Sequence, residues 1–336
     1  MSGSLQDVAR LAGVSKTLVS RMINGQSGVS EKSRLKIQAA MDELHYEPNA
    51  LARSLVLRST NTVGVVMDTL CEKYFFDLIE GLEAGAEKIK YNVVFSSGRN
   101  QISHKERAVK YFMQGRTDGV IFYGSRVEDE PLIHNLSKGD FPFVVIENTF
   151  PALDINNVVV DNAFGSSIAV DHLFRCGCRR IWHVAGSAEH RVSLDRRDGY
   201  ITAMQRHGVT VNDRMIIQAD FVVKETYLKM KALLAEFPRD ELPDAFYCGS
   251  DNTAYGLMMA LEEAGIRVPE DVMVIGFDDD EPPPNHHFRP LTTLAQPLYQ
   301  MGMSAMEILL ESIQNPEAKK NRIMFYPELV IRETTR

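Results

Sequence analysis

Residues 4–55 read SLQDVARLAGVSKTLVSRMINGQSGVSEKSRLKIQAAMDELHYEPNALARSL. This stretch contains two short helical periods separated by Gly13, and a third helix that begins at Ser30. Ser15 can cap the second helix, which ends at Asn24 and the glycine after it. A two-helix unit this compact has little core of its own. It is typical of a helix-turn-helix motif, whose second helix enters the major groove of DNA.

The charge of the chain is unevenly distributed. The 336 residues carry a net charge of −8, but residues 1–58 hold eight Lys/Arg against five Asp/Glu, a net +3, which leaves −11 on the remainder. The acidic total argues against a simple basic nucleic-acid-binding protein. A basic head on an acidic body is instead typical of a DNA-binding domain joined to a body with another task. The hydrophobic content of 44% indicates a folded globular chain.

From Thr62 onward, short Val/Ile-rich runs alternate with amphipathic helical runs. This alternation predicts parallel sheets with helices on both faces. Because about nine strands over ~275 residues exceed one comfortable core, we expect two similar lobes. Strands are predicted at 62–67, 92–97, 119–123, 143–147, 180–185, 216–219, 245–248, 272–277 and near 328–331, and helices at 75–90, 105–114, 162–176, 197–207, 226–236, 252–264 and 298–314.

An ordered set of sequence strings covers nearly the whole chain. It includes DVARLAGVSKTLVSRMING, ALARSL, VGVVMD, VVVDNAFGSSIAVDHLFRCGCRRIWHVAG, DRRDGY, SDNTAYGLMMALEEAGIRVPEDVMVIGFDD and RPLTTLAQP. On these strings the chain resembles the lactose-repressor (LacI/GalR) family of bacterial transcription regulators. The resemblance implies an all-α helix-turn-helix head, joined by a hinge to a bilobed α/β core of two doubly wound parallel-sheet lobes, like a periplasmic sugar-binding protein. It also implies a homodimer that binds double-stranded, pseudo-palindromic operator DNA.

The resemblance gives expected domain boundaries. We expect the head at 1–47, a hinge helix and linker at 48–60, and the effector-binding and dimerisation core at 61–336. The first lobe is expected at about 61–160 and 293–322, and the second at about 161–292 and 323–336. We do not expect a tetramer, because the end of the sequence shows no heptads.

The second helix should carry the residues that read DNA. Its inward stripe leaves Lys16, Thr17 and Arg21 outward. Arg21 can grip guanine O6 and N7, Lys16 can bind a guanine edge or a phosphate, and Thr17 can contact a thymine methyl group. The family implies base readout at the same three positions. It implies phosphate contacts by Ser15, Ser20, Asn24 and Ser30. Leu18 departs from the family, where threonine is common.

The hinge is expected to contact the minor groove. In the family a leucine at the position of Leu55 is inserted between base pairs, and such a wedge bends the duplex. Asn49 and Ala52 are expected to contact the backbone or the groove. The alternative for Leu55, and for Leu51 one turn before it, is packing against the core.

The resemblance also implies an effector site between the lobes. The matched positions are Tyr74, Phe75, Asp161, Arg196, Phe221, Ser250 and Asp278. Asp161 has an alternative role, because it can cap the helix that starts near residue 162. The segment DTLCEKYFF lacks the family's usual Asn-Pro, and Ser250 replaces a longer amide. The expected effector is a sugar or sugar derivative. The alternatives are a nucleobase or a partner protein.

Other functions lack their motifs. No GxxxxGK[ST] or GxSxG string occurs, so neither an enzyme nor a cofactor is expected. Four cysteines form no CxxC pair and are expected to be reduced. The acids at 278–281 and the histidines at 286–287 flank three prolines, which is not a metal-ligand spacing. With no apolar signal core or membrane span in sight, we expect a cytoplasmic protein. A solute-binding protein for transport would need an export signal.

Overall fold

The computed structural model describes residues 4–47, 59–124, 126–150, 152–284 and 286–336. The predicted hinge contacts of Asn49, Ala52 and Leu55 therefore lie outside the described residues. Within the described ranges, no helix is both long and apolar enough to cross a bilayer.

The head consists of α1 (Leu5–Ala12), α2 (Lys16–Ile23) and α3 (Glu31–Glu43). A capping box starts α1, since the Asp7 N–H donates to the Ser4 hydroxyl at 3.2 Å and the Ser4 N–H donates to the Asp7 carboxylate at 3.0 Å. Gly13 ends α1 on a left-handed backbone with φ 67°. The three helices share a small core in which one residue from each is fully buried, namely Val8, Val19 and Ile37.

The first lobe of the core is built on a six-stranded parallel sheet. The strands are β1 (Thr62–Met67), β2 (Asn92–Ser97), β3 (Gly119–Gly124), β4 (Phe143–Glu147), β5 (Asn156–Val160) and β11 (Arg322–Phe325). Their order in the sheet is β11-β5-β4-β3-β1-β2. Helices α4 (Phe76–Glu87) and α11 (Leu298–Gln314) cover one face, and α5 (Ile102–Met113) and α6 (Glu130–Leu136) cover the other.

The second lobe repeats this design on a smaller parallel sheet. Its order is β7-β6-β8-β9. The strands are β6 (Ile181–Ala185), β7 (Ile216–Gln218), β8 (Ala245–Cys248) and β9 (Met273–Ile275). Helices α9 (Val223–Glu236) and α10 (Asp251–Glu263) share one hydrophobic cluster with the sheet, and α7 (Asn162–Arg175) and α8 (Arg191–Arg206) share another. The predicted fold of a helical head and two doubly wound lobes is confirmed.

A separate pair of strands lies beside the end of β9, on the second lobe. The strands β10 (Thr293–Ala295) and β12 (Glu328–Val330) pair antiparallel. Two boundaries that we drew need correction. The first lobe was expected to resume at 293, but Leu294 lies in the hydrophobic cluster of the second lobe and Ala295 bridges to Asp278, so residues 293–295 belong to the second lobe. Strand β11 pairs with β5 over Arg322–Phe325, so residues 323–325 belong to the sheet of the first lobe and not to the second lobe.

Candidate DNA interface and effector cleft

The recognition helix α2 presents the predicted side chains to solvent. Lys16, Thr17 and Arg21 are exposed, whereas Val19 is buried in the head. Among the residues that the structure describes, neither Lys16 nor Arg21 forms an ion pair. Both cations are therefore available to a polyanion. Leu18 is half-buried and packs against the core of the head, so its replacement of threonine is accounted for by packing.

The predicted phosphate contacts lie at the ends of helices. Ser15 caps α2 by accepting the Leu18 N–H at 3.2 Å, and Ser30 caps α3 by accepting the Ser33 N–H at 3.2 Å. Both serines are exposed. Helix N-termini favour anions, because their N–H groups and dipole point outward. Half-buried Ser20 and Asn24 touch each other, with the Asn24 amide 3.4 Å from the Ser20 hydroxyl.

The second candidate site is a cleft between the two lobes. The space enclosed between the lobes is about 160 Å³. Residues from both lobes line it, and most of them follow the carboxyl end of a strand. In the first sheet β1 lies between β2 and β3, and in the second β6 lies between β7 and β8. Ligands of open α/β sheets bind outside the carboxyl ends of strands where the strand order reverses in this way.

Arg196 holds one wall of the cleft in place. Its guanidinium donates to the Asn162 amide oxygen at 2.8 Å and to the Gly249 carbonyl at 2.6 Å. It also lies 3.2 Å from the Asp278 carboxylate and stacks 3.7 Å from the centre of the Phe277 ring. Its neighbour Arg197 pairs with a surface aspartate and does not line the cleft. Of the two arginines in DRRDGY, the predicted Arg196 is therefore the one whose side chain lines the cleft.

Asp278 connects this wall to the other lobe. The Gln296 amide donates both to the Asp278 carboxylate at 2.7 Å and to the Tyr74 hydroxyl at 2.9 Å. Burial raises the pKa of Asp278 to about 6, against the opposing effect of Arg196. Asp278 also has a left-handed φ of 121°. Such backbone strain in a residue other than glycine is concentrated at functional sites.

Glu147 is the corresponding carboxylate of the first lobe. It ends β4 with φ 81° and accepts a hydrogen bond from the Tyr123 hydroxyl. Burial raises the pKa of Glu147 to about 7. The ring of Phe75 packs edge-on against Tyr123 at 5.0 Å and against Tyr74 at 5.1 Å. The first lobe thus contributes a group of packed aromatic rings and a neighbouring carboxylate to the cleft.

Six of the seven residues predicted to contact the effector line this cleft. They are Tyr74, Phe75, Arg196, Phe221, Ser250 and Asp278. Ser250 is buried, and its hydroxyl caps α10 by accepting the Thr253 N–H at 3.1 Å. Asp161 does not line the cleft. Its carboxylate accepts the Phe164 N–H at 2.9 Å and caps α7, which is the alternative role that the sequence left open.

The sequence reasoning missed further residues of the cleft. Most of the missed polar residues follow the carboxyl end of a strand. Because ligands of such sheets bind at these ends, a search after every predicted strand could have found them. They include Asp68 after β1, Asn100 after β2, Tyr123 on β3, Glu147 on β4, His190 after β6, Asp220 after β7 and Asp280 after β9.

A buried lysine supports the Asp68 side of the cleft. The Lys105 ammonium is fully buried, lies 2.8 Å from both oxygens of Asp129, and pairs with Asp68. Burial raises the pKa of Asp129 to about 6, although Lys105 opposes this. Two carboxylates thus share one cation beneath the cleft.

Direct contacts join the two lobes on either side of the cleft. The Val127 N–H donates to the Glu189 carbonyl at 2.8 Å, and the Arg126 guanidinium pairs with the Glu189 carboxylate. On the other side the Lys73 ammonium lies 2.5 Å from Glu281. These contacts would have to change if the lobes moved apart.

Comparisons with known proteins identify the class. The sequence model described as "Bacterial regulatory proteins, lacI family" matches residues 4–49, and "Periplasmic binding protein-like domain" matches residues 170–335. Similar proteins include the HTH-type transcriptional repressor PurR of Photobacterium profundum, 31% identical over 99% of this chain and 98% of that protein. PurR of Salmonella paratyphi B is 34% identical over 98% and 96% of the two chains.

Solved structures agree with these relatives. The lac repressor dimer bound to operator and the anti-inducer ONPF has a TM-score of 0.87 and 26% identity, covering 99% of both chains. The complex of the transcriptional regulator CelR with cellobiose has a TM-score of 0.74 and 28% identity, again over 99% of both chains.

The chain belongs to the lacI family of bacterial regulatory proteins. It is a DNA-binding transcriptional repressor regulated by a small-molecule effector, and it is not an enzyme. The resemblance seen in the sequence is confirmed.

Proposed function

We propose that the cleft between the lobes binds the effector, and that the effector is a sugar or sugar derivative. The observation that carries this proposal is the pairing of aromatic rings with carboxylates from both lobes around the cleft. Carboxylate oxygens accept hydrogen bonds from hydroxyl groups, and ring faces such as Phe221 cover the C–H surface of a sugar. The cellobiose complex of CelR supports a carbohydrate.

For the head, the proposal assigns base readout to Lys16, Thr17 and Arg21. The hydroxyls of Ser15, Ser20 and Ser30 and the amide of Asn24 would bind phosphates. Asn49, Ala52 and Leu55 would contact the minor groove at the hinge. A homodimer would place two heads on a pseudo-palindromic operator, since the symmetry of the site mirrors that of the protein. The lac repressor dimer on its operator supports this arrangement. A repressor of bacterial promoters would act in the cytoplasm.

Control by the effector would act through the angle between the lobes. The Asp278, Gln296 and Tyr74 contacts cross the cleft, and the pairs Lys73–Glu281 and Arg126–Glu189 lie at its sides. A ligand held by both lobes favours one lobe angle over another. A coupling of ~1–3 kcal/mol would change operator occupancy about 5–150-fold.

The test starts with an operator selected from random duplexes by the full-length protein. Its affinity is then measured by fluorescence anisotropy against panels of sugars, sugar derivatives and nucleobases. We expect a member of the sugar panels to change the operator affinity and to raise the melting temperature. Asp278→Asn should abolish this response and retain basal operator binding. Asp279→Asn is the matched control, because Asp279 pairs with Arg332 at 2.5 Å and does not line the cleft.

Two results would contradict the proposal. A response to nucleobases with none to sugars would exclude the carbohydrate assignment. A full sugar response in Asp278→Asn would place the effector site elsewhere.

A further inference from the structure

The lining of the effector cleft contains far more acid than base. Six of its eighteen residues are carboxylates, and Arg196 is its one Lys or Arg among the described residues. The first lobe contributes three of these carboxylates and the second contributes three. They are Asp68, Glu72, Glu147, Asp220, Asp278 and Asp280.

The cations near the cleft are already engaged by the protein. Arg196 is shared by Asp278, Asn162 and the Gly249 carbonyl. The buried Lys105 is shared by Asp68 and by Asp129 outside the cleft. Burial lowers the pKa of His190, so this ring does not supply a positive charge near neutral pH. Among the described residues, Arg196, Lys105 and Lys73 thus each already pair with a carboxylate.

Four carboxylates of the cleft have no ion-pair partner among the described residues. In the described part of the chain, none of Glu72, Glu147, Asp220 and Asp280 forms an ion pair. Glu72 and Asp220 stand exposed at the rim, whereas Glu147 and Asp280 are half-buried. Glu72 and Glu147 belong to one lobe, and Asp220 and Asp280 belong to the other. In their ionised forms these groups place like charges on both sides of the cleft, and solvent screens the half-buried pair less well.

The aromatic residues of the cleft give a second, independent indication. Tyr74, Phe75 and Tyr123 form a contiguous floor, and Phe221 packs edge-on against His190 at 5.3 Å on the opposite lobe. The face of an aromatic ring is negative and attracts cations within about 6 Å of its centre. Hydroxyl groups could donate to the carboxylates, but they would leave the negative charge of the cleft in place. An ammonium group can pair with the carboxylates and can also make cation–π contacts with the rings.

We infer that the effector carries a positively charged amine, and that it is an amino sugar or an amine-bearing sugar derivative. This inference rests on the proposed function of the cleft and narrows its ligand class. The ammonium lies among the carboxylates of Glu147, Asp220 and Asp280, and hydroxyl groups of the same ligand reach Asp278.

Matched sugars test the inference. Each set contains a hexose, its 2-amino-2-deoxy counterpart and the N-acetylated form, in gluco, galacto and manno configurations, with the β-1,4-linked disaccharides of the gluco set. Calorimetric titration of the full-length protein is carried out at pH 7 with a chelator present, so that no divalent cation replaces the amine. We expect one amino sugar to bind about tenfold or more tightly than both neutral partners, because hydrogen bonds to charged groups are about twice as strong as neutral ones. Its affinity should fall as NaCl is raised.

Two carboxylate variants locate the charge. Glu147→Gln keeps an acceptor for the Tyr123 hydroxyl, and Asp220→Asn changes an exposed residue, so both are expected to fold. Each should weaken the amino sugar several-fold and leave the N-acetylated form within twofold. Glu317→Gln is the control, since Glu317 is exposed and does not line the cleft.

The outcomes separate this inference from the proposed function. If a neutral sugar binds as tightly as its amino counterpart, the inference is wrong and the carbohydrate site stands. If the amino sugar is preferred but the two carboxylate variants bind it normally, the inferred position of the ammonium is wrong. If no sugar of either kind binds, both proposals fail.

Discussion

Replacing Lys105 by Met should destabilise the core strongly. The Lys105 ammonium and the Asp129 carboxylate are both fully buried, and Asp68 is nearly so. Met matches much of the lysine stem in volume but leaves two buried carboxylates without their shared cation. Breaking a buried ion pair by removal of one partner costs about 3–5 kcal/mol. We expect a loss of this size in the free energy of unfolding at pH 7.5.

The loss of stability in Lys105→Met should depend on pH. Burial raises the pKa of Asp129 to about 6 in the folded protein, above its ordinary value of 3.8. A carboxyl with a raised folded pKa binds more protons when folded, so its contribution to stability is lost as the pH rises through about 6. Without Lys105 the pKa of Asp129 should rise further, because the opposing cation is gone. The difference between the two proteins should therefore be larger at pH 7.5 than at pH 5.5.

Urea unfolding followed by circular dichroism measures the effect. Lys110→Met is the control, because Lys110 is an exposed lysine on the same helix. Surface substitutions of this kind change stability by about 0.5 kcal/mol or less. Asp129→Asn in the Lys105→Met background should recover part of the loss by removing one buried charge. Equal urea midpoints for Lys105→Met and Lys110→Met would refute the reasoning.

Two further predictions concern the head and the cleft. Arg21→Ala should weaken operator binding by ~1–3 kcal/mol and reduce the base preference at one operator position, and Arg10→Ala is its control. Unchanged affinity and unchanged base preference in a binding-site selection would contradict this. For the cleft, lowering the pH from 7.5 to 5.5 should reduce the affinity for an amine-bearing effector about tenfold, after correction for the protonated fraction of the amine. The reason is that Glu147 and Asp278, with pKa values of about 7 and 6, lose negative charge over this range. Calorimetry would contradict it if the N-acetylated sugar weakened equally.

Periodicity in the sequence predicted most of the elements, and its failures have local causes. Strand β5 was missed because it opens with two asparagines, which disfavour strands. Both are buried, and their side chains bond to neighbouring elements: the Asn156 amide donates to Ser312 on α11 at 2.7 Å, and the Asn157 amide donates to the Val145 carbonyl on β4 at 2.9 Å. Helix α6 was missed because its seven residues are too few for a clear helical period.

The exposed face of α2 was easier to predict than the cleft, because its residues are close in the sequence. Lys16, Thr17 and Arg21 lie within six residues of one another, so helical spacing alone indicates that they share a face. The Lys105 ion pairs show the opposite case. Asp68 and Asp129 lie 37 and 24 positions from Lys105 in the sequence, and each of the three residues alone reads as an ordinary surface charge.

The negative charge of the cleft could not have been predicted from any one segment. Glu147 ends β4 and Asp280 follows β9, more than one hundred residues later. Their proximity results from two sheets that direct the carboxyl ends of their strands toward the same space. The resemblance to the family predicted that space, because it belongs to the shared fold. The chemistry of the space is set by the side chains at the strand ends. The class of effector therefore has to be argued from this chain's own charges, which include six carboxylates in the cleft.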